Sequence, residues 1–314
     1  MQKKEILFLW DGENWNPNGD MLNENAPRID EETGVAEATD VRIKRTIRDE
    51  LIKKEGSEVI FVKPYLEGNY VLDAKHAARQ LIDITMSKDD IKNELLSRFI
   101  DIRAFGSVLP LSDKDEMKKN KDIKVASVTF TGAVQFRMSK SLHKVHTKFI
   151  QGTGAFASSY SKEDEKKQKP QDTFRKEYIL NYALFATYGI MDNYNAQKTG
   201  FSEEDATKVM DALWYGTKNL ITRSKMGQTP RLMLVITYKD DTFAGDLNNS
   251  IDLEATKDEE AIRSINDYTI NFERLKAKLK RYESAIEKVE YMVDYDFETN
   301  HKEQFESNWV KIER

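Results

Sequence analysis

Residues 11–20 read DGENWNPNGD, residues 26–30 read APRID, and residues 39–51 read TDVRIKRTIRDEL. The apolar run Ile6 to Trp10 comes just before them and predicts a buried strand. Gly, Asn and Pro are frequent here, so we predict a long loop with a defined backbone conformation. Ordinary connections are shorter, which indicates that this loop has a function. Turn backbone of this kind can present N–H groups to an anion. The sequence therefore opens with a strand, a shaped loop and a helix.

The helix predicted over Val41 to roughly Lys54 carries positive charge in its first half. Thr39 or Asp40 can cap its free N–H groups. Apolar residues recur at spacings of four on one face, and these are Ile43, Ile47 and Leu51. Four cations lie off that face, and these are Arg42, Lys44, Arg45 and Arg48. Cations near a helix N-terminus oppose its macrodipole, so we interpret them as anion ligands. The alternative is an ordinary exposed amphipathic helix.

The amino-acid composition excludes several kinds of functional site and several classes of protein. The chain has 314 residues, enough for one large domain or two small ones. It contains no cysteine, which excludes disulfides, thiolate nucleophiles and cysteine-ligated zinc. We see no apolar run long enough to cross a bilayer and no signal-peptide core after the first methionine. We therefore expect a soluble, cytoplasmic protein without a membrane partner.

Charge is unevenly distributed along the chain, although the net charge is only −5. Residues 121–148 hold six Lys or Arg against the single acid Asp122. Residues 240–260 reverse this balance, with many Asp and Glu beside Lys257 alone. A basic face and an acidic face suit a subunit that holds a polyanion, or one that stacks against its own copies.

Periodicity and turn signals predict the remaining elements. The predicted helices are 74–82, 87–99, 202–220 and 272–282. The predicted strands are 59–62, 125–136, 178–186, 231–238, 267–271 and 286–293. Gly132 predicts a bulge or a close backbone approach. Residues 112–122 are rich in Lys and Asp and predict a solvated loop. Residues 142–173 predict a protruding hairpin. Strands that alternate with helices and hairpin insertions favour an α+β sandwich of ferredoxin type.

A second candidate anion site lies between a helix end and a strand start, at residues 223–228. Its polar members are Arg223, Ser224, Lys225 and Gln228. A hydroxyl, a glycine and two cations there suit a phosphate cradle. The alternative is a helix C-terminus whose cations bind the last carbonyl groups.

The basic segment 143–148 is a third candidate, with His143, Lys144, His146 and Lys148. The two histidines are three residues apart and would point to opposite faces of a strand, so we predict no metal site. They remain candidates for acid/base cleavage of RNA, but their basic surroundings favour RNA binding.

Acidic residues in and around the loop that follows the first strand make a metal-dependent nuclease an alternative function. These residues are Asp11, Asp20, Asp30 and Asp40. Carboxylates can hold a catalytic metal, but turn chemistry explains them more simply. We find no Walker motif, dinucleotide fingerprint, His-Glu-x-x-His or Gly-x-Ser-x-Gly.

A series of motifs in fixed order gives the chain a family resemblance. The series comprises Asn16-Pro17-Asn18-Gly19-Asp20, Pro27-Arg28-Ile29-Asp30, Thr33-Gly34, Thr39-Asp40-Val41-x-Ile43-Lys44-Arg45-x-Ile47-Arg48, Phe105-Gly106, Gly132-x-Val134-Gln135-Phe136, Ser141-Leu142-His143, Gly152-Thr153-Gly154 and Arg223-Ser224 to Gln228-x-Pro230-Arg231. It resembles the Cas-seven family of the RAMP superfamily, the backbone subunits of type I CRISPR Cascade complexes. The likeness is greatest to type I-B and thins after about residue 245.

The resemblance implies an α+β fold. A modified RRM-like palm over 1–314 would carry a helical insertion (63–122) and a β-hairpin thumb (142–173). Copies would stack into a helical filament around the spacer part of CRISPR RNA, without catalysis or cofactor. Related type III subunits cut RNA with a loop aspartate, so a metal-dependent endoribonuclease using Asp20, Asp30 or Asp40 is the alternative.

Carried over by position, the resemblance implies an RNA groove built from separate segments. Arg28 and the helix cations would grip the backbone, and segments 143–148 and 223–228 would complete the groove. Apolar thumb residues (Phe149, Ile150 and Phe156) would separate bases. The acidic stretch 240–260 would lie away from the RNA. The expected partners are CRISPR RNA, the target DNA strand through the guide, further copies of the chain and other Cascade subunits.

Overall fold

The computed structural model describes residues 1–153 and 174–313. Its strands are β1 (Lys4–Trp15), β2 (Gly19–Asp20), β3 (Ala26–Pro27), β4 (Val35–Ala38), β5 (Leu66–Glu67), β6 (Tyr70–Val71), β7 (Gly106–Pro110), β8 (Ser127–Thr131), β9 (Val134–Phe136), β10 (Ser139–Lys144), β11 (Thr147–Thr153), β12 (Phe174–Met191), β13 (Thr229–Tyr238), β14 (Asp252–Ala255), β15 (Tyr268–Asn271), β16 (Ile286–Val293) and β17 (Val310–Lys311). Its α-helices are α1 (Asp40–Glu55), α2 (Ala74–Leu81), α3 (Lys88–Arg98), α4 (Ile100–Phe105), α5 (Lys114–Lys119), α6 (Asn193–Thr199), α7 (Glu203–Asn219), α8 (Glu273–Arg281) and α9 (Tyr295–His301).

A central mixed sheet organises this α+β fold. Its strands follow the order β17-β16-β13-β1-β12-β10-β4, and β9 and β11 also pair with β12. β16 and β17 run parallel, whereas the other neighbours are antiparallel. β12 is the longest strand, with 18 residues, and it borders four others. The sheet is therefore built around β1 and β12.

Strand β1 is central because both of its faces are covered. Ile6, Phe8 and Trp10 face a core shared with α1 and α7. Leu7 and Leu9 face a second core that includes Phe272, Leu275 and Phe297 near the C-terminus. A continuous apolar run is what a strand covered on both faces requires. On α1, the predicted stripe of Ile43, Ile47 and Leu51 is at most 1% exposed, so that prediction is confirmed.

The segment between α1 and β9 has a hydrophobic core of its own. This core includes Phe61, Leu95, Phe99 and Phe130. A Cβ added to Gly132 would lie 2.3 Å from the Ala104 carbonyl oxygen and the Gly106 nitrogen. The predicted close backbone approach at Gly132 is therefore confirmed. A buried carboxylate, Asp101, joins this segment to α1 by accepting from Arg48 Nε at 2.9 Å.

Two local predictions were wrong. Residues 59–62 form no strand, because the N–H groups of Phe61 and Val62 donate to Asp101 at 2.8 and 3.0 Å instead of to a sheet partner. The stretch 112–122 is not all loop, because it contains α5. Asp113 caps that helix in a capping box with Glu116. The helices predicted at 74–82, 87–99, 202–220 and 272–282 are confirmed within two residues at each end.

The predicted hairpin at 142–173 is described only in part. β11 pairs antiparallel with the first half of β12, from Thr153 opposite Phe174 to Thr147 opposite Leu180. Residues 154–173, including Phe156, lie outside the described residues. Phe149 on β11 is 46% exposed and its ring contacts Tyr178.

Candidate nucleic-acid interface

Strand register brings three of the predicted segments to one end of the sheet. Trp15, the last residue of β1, lies opposite Leu180 of β12. Asp11 lies opposite Thr229, the first residue of β13. The loop after β1, the loop before β13 and the β11–β12 hairpin therefore leave the sheet at the same end. We call residues 16–28 the opening loop and residues 222–228 the β13 loop.

Backbone and capping bonds fasten the opening loop to its neighbours. The Asn16 N–H donates to the Ser224 carbonyl oxygen of the β13 loop at 2.8 Å. Asn18 Oδ1 accepts from the Thr39 N–H at 2.8 Å and from its hydroxyl at 2.9 Å. Thr39 in turn caps α1 by accepting from the Arg42 N–H. Both loops and the start of α1 therefore form one surface.

Arg42 lies under this surface with neutral partners. Its guanidinium donates to the Pro17 carbonyl, the Thr46 hydroxyl and Gln228 Oε1, and lies 4.8 Å from the Trp10 ring centre. Only 8% of the residue is exposed, and burial lowers its pKa to about 10. Within residues 1–153 and 174–313, no carboxylate pairs with it. Arg42 thus joins both loops and leaves its positive charge uncompensated.

The other three cations predicted in the first half of α1 pair with carboxylates of the chain itself. Lys44 contacts Asp40 at 2.9 Å and Arg45 contacts Asp49 at 2.7 Å. Arg48 binds Asp101, as described above. Ion pairs within the chain therefore explain why these three cations lie on α1. The prediction from the helix macrodipole did not consider such pairs. Of the four, Arg45 has the most accessible side chain, at 64% exposure.

The β13 loop contributes Lys225, a second uncompensated cation. Its ammonium lies 3.4 Å from the Ser224 hydroxyl, and no carboxylate in the described ranges lies within ion-pair distance of it. Burial lowers the Lys225 pKa, and the nearby Arg42 charge lowers it further. Arg223 is 56% exposed and pairs with Glu177 of β12 at 2.8 Å. Gln228 is buried, and its amide donates to the Thr217 carbonyl at 3.0 Å.

Arg28 is the last residue of the opening loop, and its guanidinium is only partly paired. Its Nη2 contacts Asp20 Oδ1 at 3.3 Å, and its side chain is 37% exposed. Its Nε is buried without a hydrogen-bond partner in the described structure. Arg28 is therefore available to an acceptor that reaches the opening loop.

The basic segment 143–148 divides between core and surface. His143 is 2% exposed; its Nδ1 donates to the Lys144 carbonyl at 2.7 Å, and its Nε2 accepts from the Leu184 N–H at 3.3 Å. Burial lowers its pKa, so the imidazole is neutral. Lys144, His146 and Lys148 are exposed. The structure therefore places His143 out of reach of a bound strand, as a structural residue.

An acidic loop lies beside this segment, contrary to expectation. Asp258, Glu259 and Glu260 line a shallow groove with Lys144 and His146. Glu259 accepts from the Lys144 N–H at 2.8 Å. The acidic stretch 240–260 is therefore not remote from the predicted RNA-binding segment. Lys144 and His146 face negative charge, unlike Lys225.

The loop aspartates are occupied by local bonds. Asp20 pairs with Arg28, Asp30 accepts from the Glu32 N–H at 3.1 Å, and Asp40 pairs with Lys44. Asp11 is buried, accepting from Tyr182 and from Arg231 at 2.8 Å. Its pKa is raised by burial. In the described ranges, no cluster of three or more His, Asp or Glu is arranged to hold a metal ion.

Sequence reasoning missed the exposed apolar side chains around this surface. Met21 and Leu22 are 90% and 98% exposed at the tip of the opening loop, and Met226 is 66% exposed in the β13 loop. The signal was the pair Met-Leu inside an otherwise polar turn. Apolar side chains beside cations suit contact with nucleobases.

Comparisons with known proteins agree with the motif series. Residues 2–273 match the family model described as CRISPR-associated protein Cas7. The CRISPR-associated protein Cas7 of Haloferax volcanii is 31% identical over 310 residues, covering 94% of this chain and 87% of the relative. No helix in the described ranges has the length and apolar character of a membrane span.

Solved structures share the fold. A chain of a CRISPR RNA-guided surveillance complex in a pre-nicking state has a TM-score of 0.55 at 12% identity, covering 99% of this chain and 96% of that one. A chain of another CRISPR RNA-guided surveillance complex has a TM-score of 0.51 at 12% identity, with coverages of 99% and 95%. Because the family model spans most of the sequence, this chain belongs to the CRISPR-associated Cas7 (Cas-seven) family.

Proposed function

We propose that this chain is a non-catalytic backbone subunit of a type I-B Cascade surveillance complex. Copies of it coat the spacer part of CRISPR RNA as a helical filament and leave the guide bases free to pair with target DNA. Family membership supports the backbone role, and the motif order supports type I-B. A sequence-independent coat must hold phosphates, while guide pairing supplies the specificity. Its other partners are further copies of the chain and other Cascade subunits.

One observation carries the RNA-binding assignment. The opening loop, the start of α1 and the β13 loop meet around Arg42, and the two cations there, Arg42 and Lys225, have no carboxylate partner in the described chain. Buried or half-buried charge is unfavourable unless an opposite charge compensates it. A phosphate bound above the two loops supplies that compensation. Lys225, Arg223 and Arg28 are the contacts we favour, and Arg42 and Gln228 position the loops.

We also propose the domain organisation that accompanies this role. Residues 1–314 form one RRM-like domain, with 63–122 as a helical insertion and 142–173 as the thumb. The separate core around Phe99 and Phe130 supports the insertion. The pairing of β11 with β12 supports the base of the thumb. Lys144, His146 and Lys148 would then follow the RNA along the thumb.

The first experiment asks whether the purified protein retains nucleic acid. We expect a raised ratio of absorbance at 260 to 280 nm, and a particle whose size falls after ribonuclease but not after deoxyribonuclease treatment. A protein free of RNA that also fails to bind a labelled single-stranded RNA at low salt would refute the proposal.

A second experiment separates the scaffold from the metal-dependent endoribonuclease. RNA complementary to the guide is incubated with the assembled complex and Mg²⁺. We expect intact RNA, because Asp20, Asp30 and Asp40 hold local partners. Regular cleavage that is lost in Asp20→Asn, Asp30→Asn or Asp40→Asn would establish the enzyme instead. Cleavage of repeat RNA that is lost in His143→Gln would establish a guide-processing ribonuclease.

A further inference from the structure

The opening loop contains two buried polar atoms that the described protein does not satisfy. Asn16 is 3% exposed; its Nδ2 donates to the Asn25 carbonyl at 2.7 Å, but its Oδ1 accepts from no group among residues 1–153 and 174–313. Arg28 Nε, in the same loop, donates to no group in the described part of the chain. A buried polar atom without a partner is unfavourable, because it has lost its hydrogen bonds to water. Such atoms call for a ligand or a solvent molecule.

The two atoms demand opposite chemistry from a ligand. Arg28 Nε needs an acceptor, and a phosphate oxygen is one. Asn16 Oδ1 needs a donor, which a phosphate diester lacks. The one donor in a ribose–phosphate backbone is the 2′-hydroxyl, and deoxyribose has none. Base N–H groups are excluded, because a coat that holds any guide sequence cannot depend on them.

The position of Asn16 places it beside the uncompensated cations. Its N–H is fixed to the Ser224 carbonyl at 2.8 Å, and Ser224 directly precedes Lys225. Pro17, the next residue, accepts from Arg42. A strand whose phosphate lies over Lys225 therefore brings its adjacent ribose to the opening loop. The Asn16 amide is held by the carbonyl of Asn25, which lies in the exposed part of this loop.

We propose that Asn16 reads the ribose 2′-hydroxyl, with Oδ1 accepting its hydrogen bond, and so makes the chain select RNA over DNA. This inference rests on the proposed function and adds a sugar-recognition residue to it.

The test compares two oligonucleotides of one sequence on the full-length protein. One is RNA, and the other carries 2′-fluoro groups, which cannot donate a hydrogen bond. For the wild type we expect RNA to bind about fivefold more tightly, as one net hydrogen bond gives. In Asn16→Leu the two affinities should become equal, through loss of RNA affinity. Asn23→Leu, at an exposed position of the same loop, is the matched control and should keep the wild-type ratio.

The outcomes separate this inference from the proposed function. Equal binding of the two oligonucleotides by the wild type, or an unchanged ratio in Asn16→Leu, would overturn the role of Asn16 while RNA coating stands. Equal affinities in the wild type would overturn the role of Asn16 whether or not Asn16→Leu folds. Failure of the wild type to bind RNA at all would refute both.

Discussion

Replacing Lys225 with methionine should weaken RNA binding in a salt-dependent way, because this ammonium is an uncompensated charge. Each phosphate neutralised on a single strand contributes about −0.7 to the slope of log affinity against log salt. Loss of one such contact lowers affinity about fivefold at 0.1 M salt and leaves affinity near 1 M salt unchanged. Fluorescence anisotropy of a short labelled RNA, measured from 0.05 to 1 M salt, gives both quantities.

Arg45→Met is the matched control for this prediction. It removes a cation that is more exposed than Lys225 but is paired with Asp49 at 2.7 Å. An approaching phosphate meets both charges of that pair, so we expect less than about a twofold effect and an unchanged slope. The reasoning would be refuted if both variants lost the same slope, or if Lys225→Met kept the wild-type slope.

Three further predictions concern stability, measured by urea unfolding. Gly132→Ala should lower the free energy of unfolding by about 3 kcal/mol, because its Cβ would lie 2.3 Å from backbone atoms. Gly152→Ala should change the free energy of unfolding little, because its Cβ would meet no described atom within 4 Å, and equal effects of the two variants would contradict this. Asp101→Asn should cost about 3 kcal/mol, because it breaks the buried pair with Arg48; a cost below 1 kcal/mol would rule out Asp101 as an anchor. Burial lowers the pKa of His143 below its ordinary 6.5, so the unfolded chain binds more protons and stability is lost as pH falls below 6.5. Between pH 7.5 and 5.5 the wild type should lose more stability than His143→Gln, and parallel losses would contradict the assignment.

The sequence predicted the elements of this fold better than the partners of its charged residues. The apolar run at Ile6 to Trp10 and the stripe on α1 identify buried faces, because periodicity reports burial directly. The strand predicted at 59–62 failed because a distant carboxylate, Asp101, takes its N–H groups. Such long-range competition leaves no local pattern.

The candidate site was predicted as a set of segments rather than as a set of contacts. Charge density found α1 and the β13 loop, and strand register brings them together. The sequence could not distinguish Arg48, which binds a buried carboxylate, from Lys225, which pairs with no carboxylate of the described residues, because the difference depends on residues far apart in the chain. We predicted that His143 binds RNA because its neighbours in the sequence are basic, but tertiary packing buries its side chain.

Strand β12 has a mechanical consequence. It runs unbroken for 18 residues, a length of about 60 Å. Its first residues pair with β11 and its last residues pair with β9. Residues 174–179 of β12 pair with β11 alone, and from Leu180 onward the same strand pairs with β1, so one continuous backbone joins the hairpin to the centre of the sheet. The position of the hairpin is therefore coupled to the sheet of its own subunit through the backbone of β12.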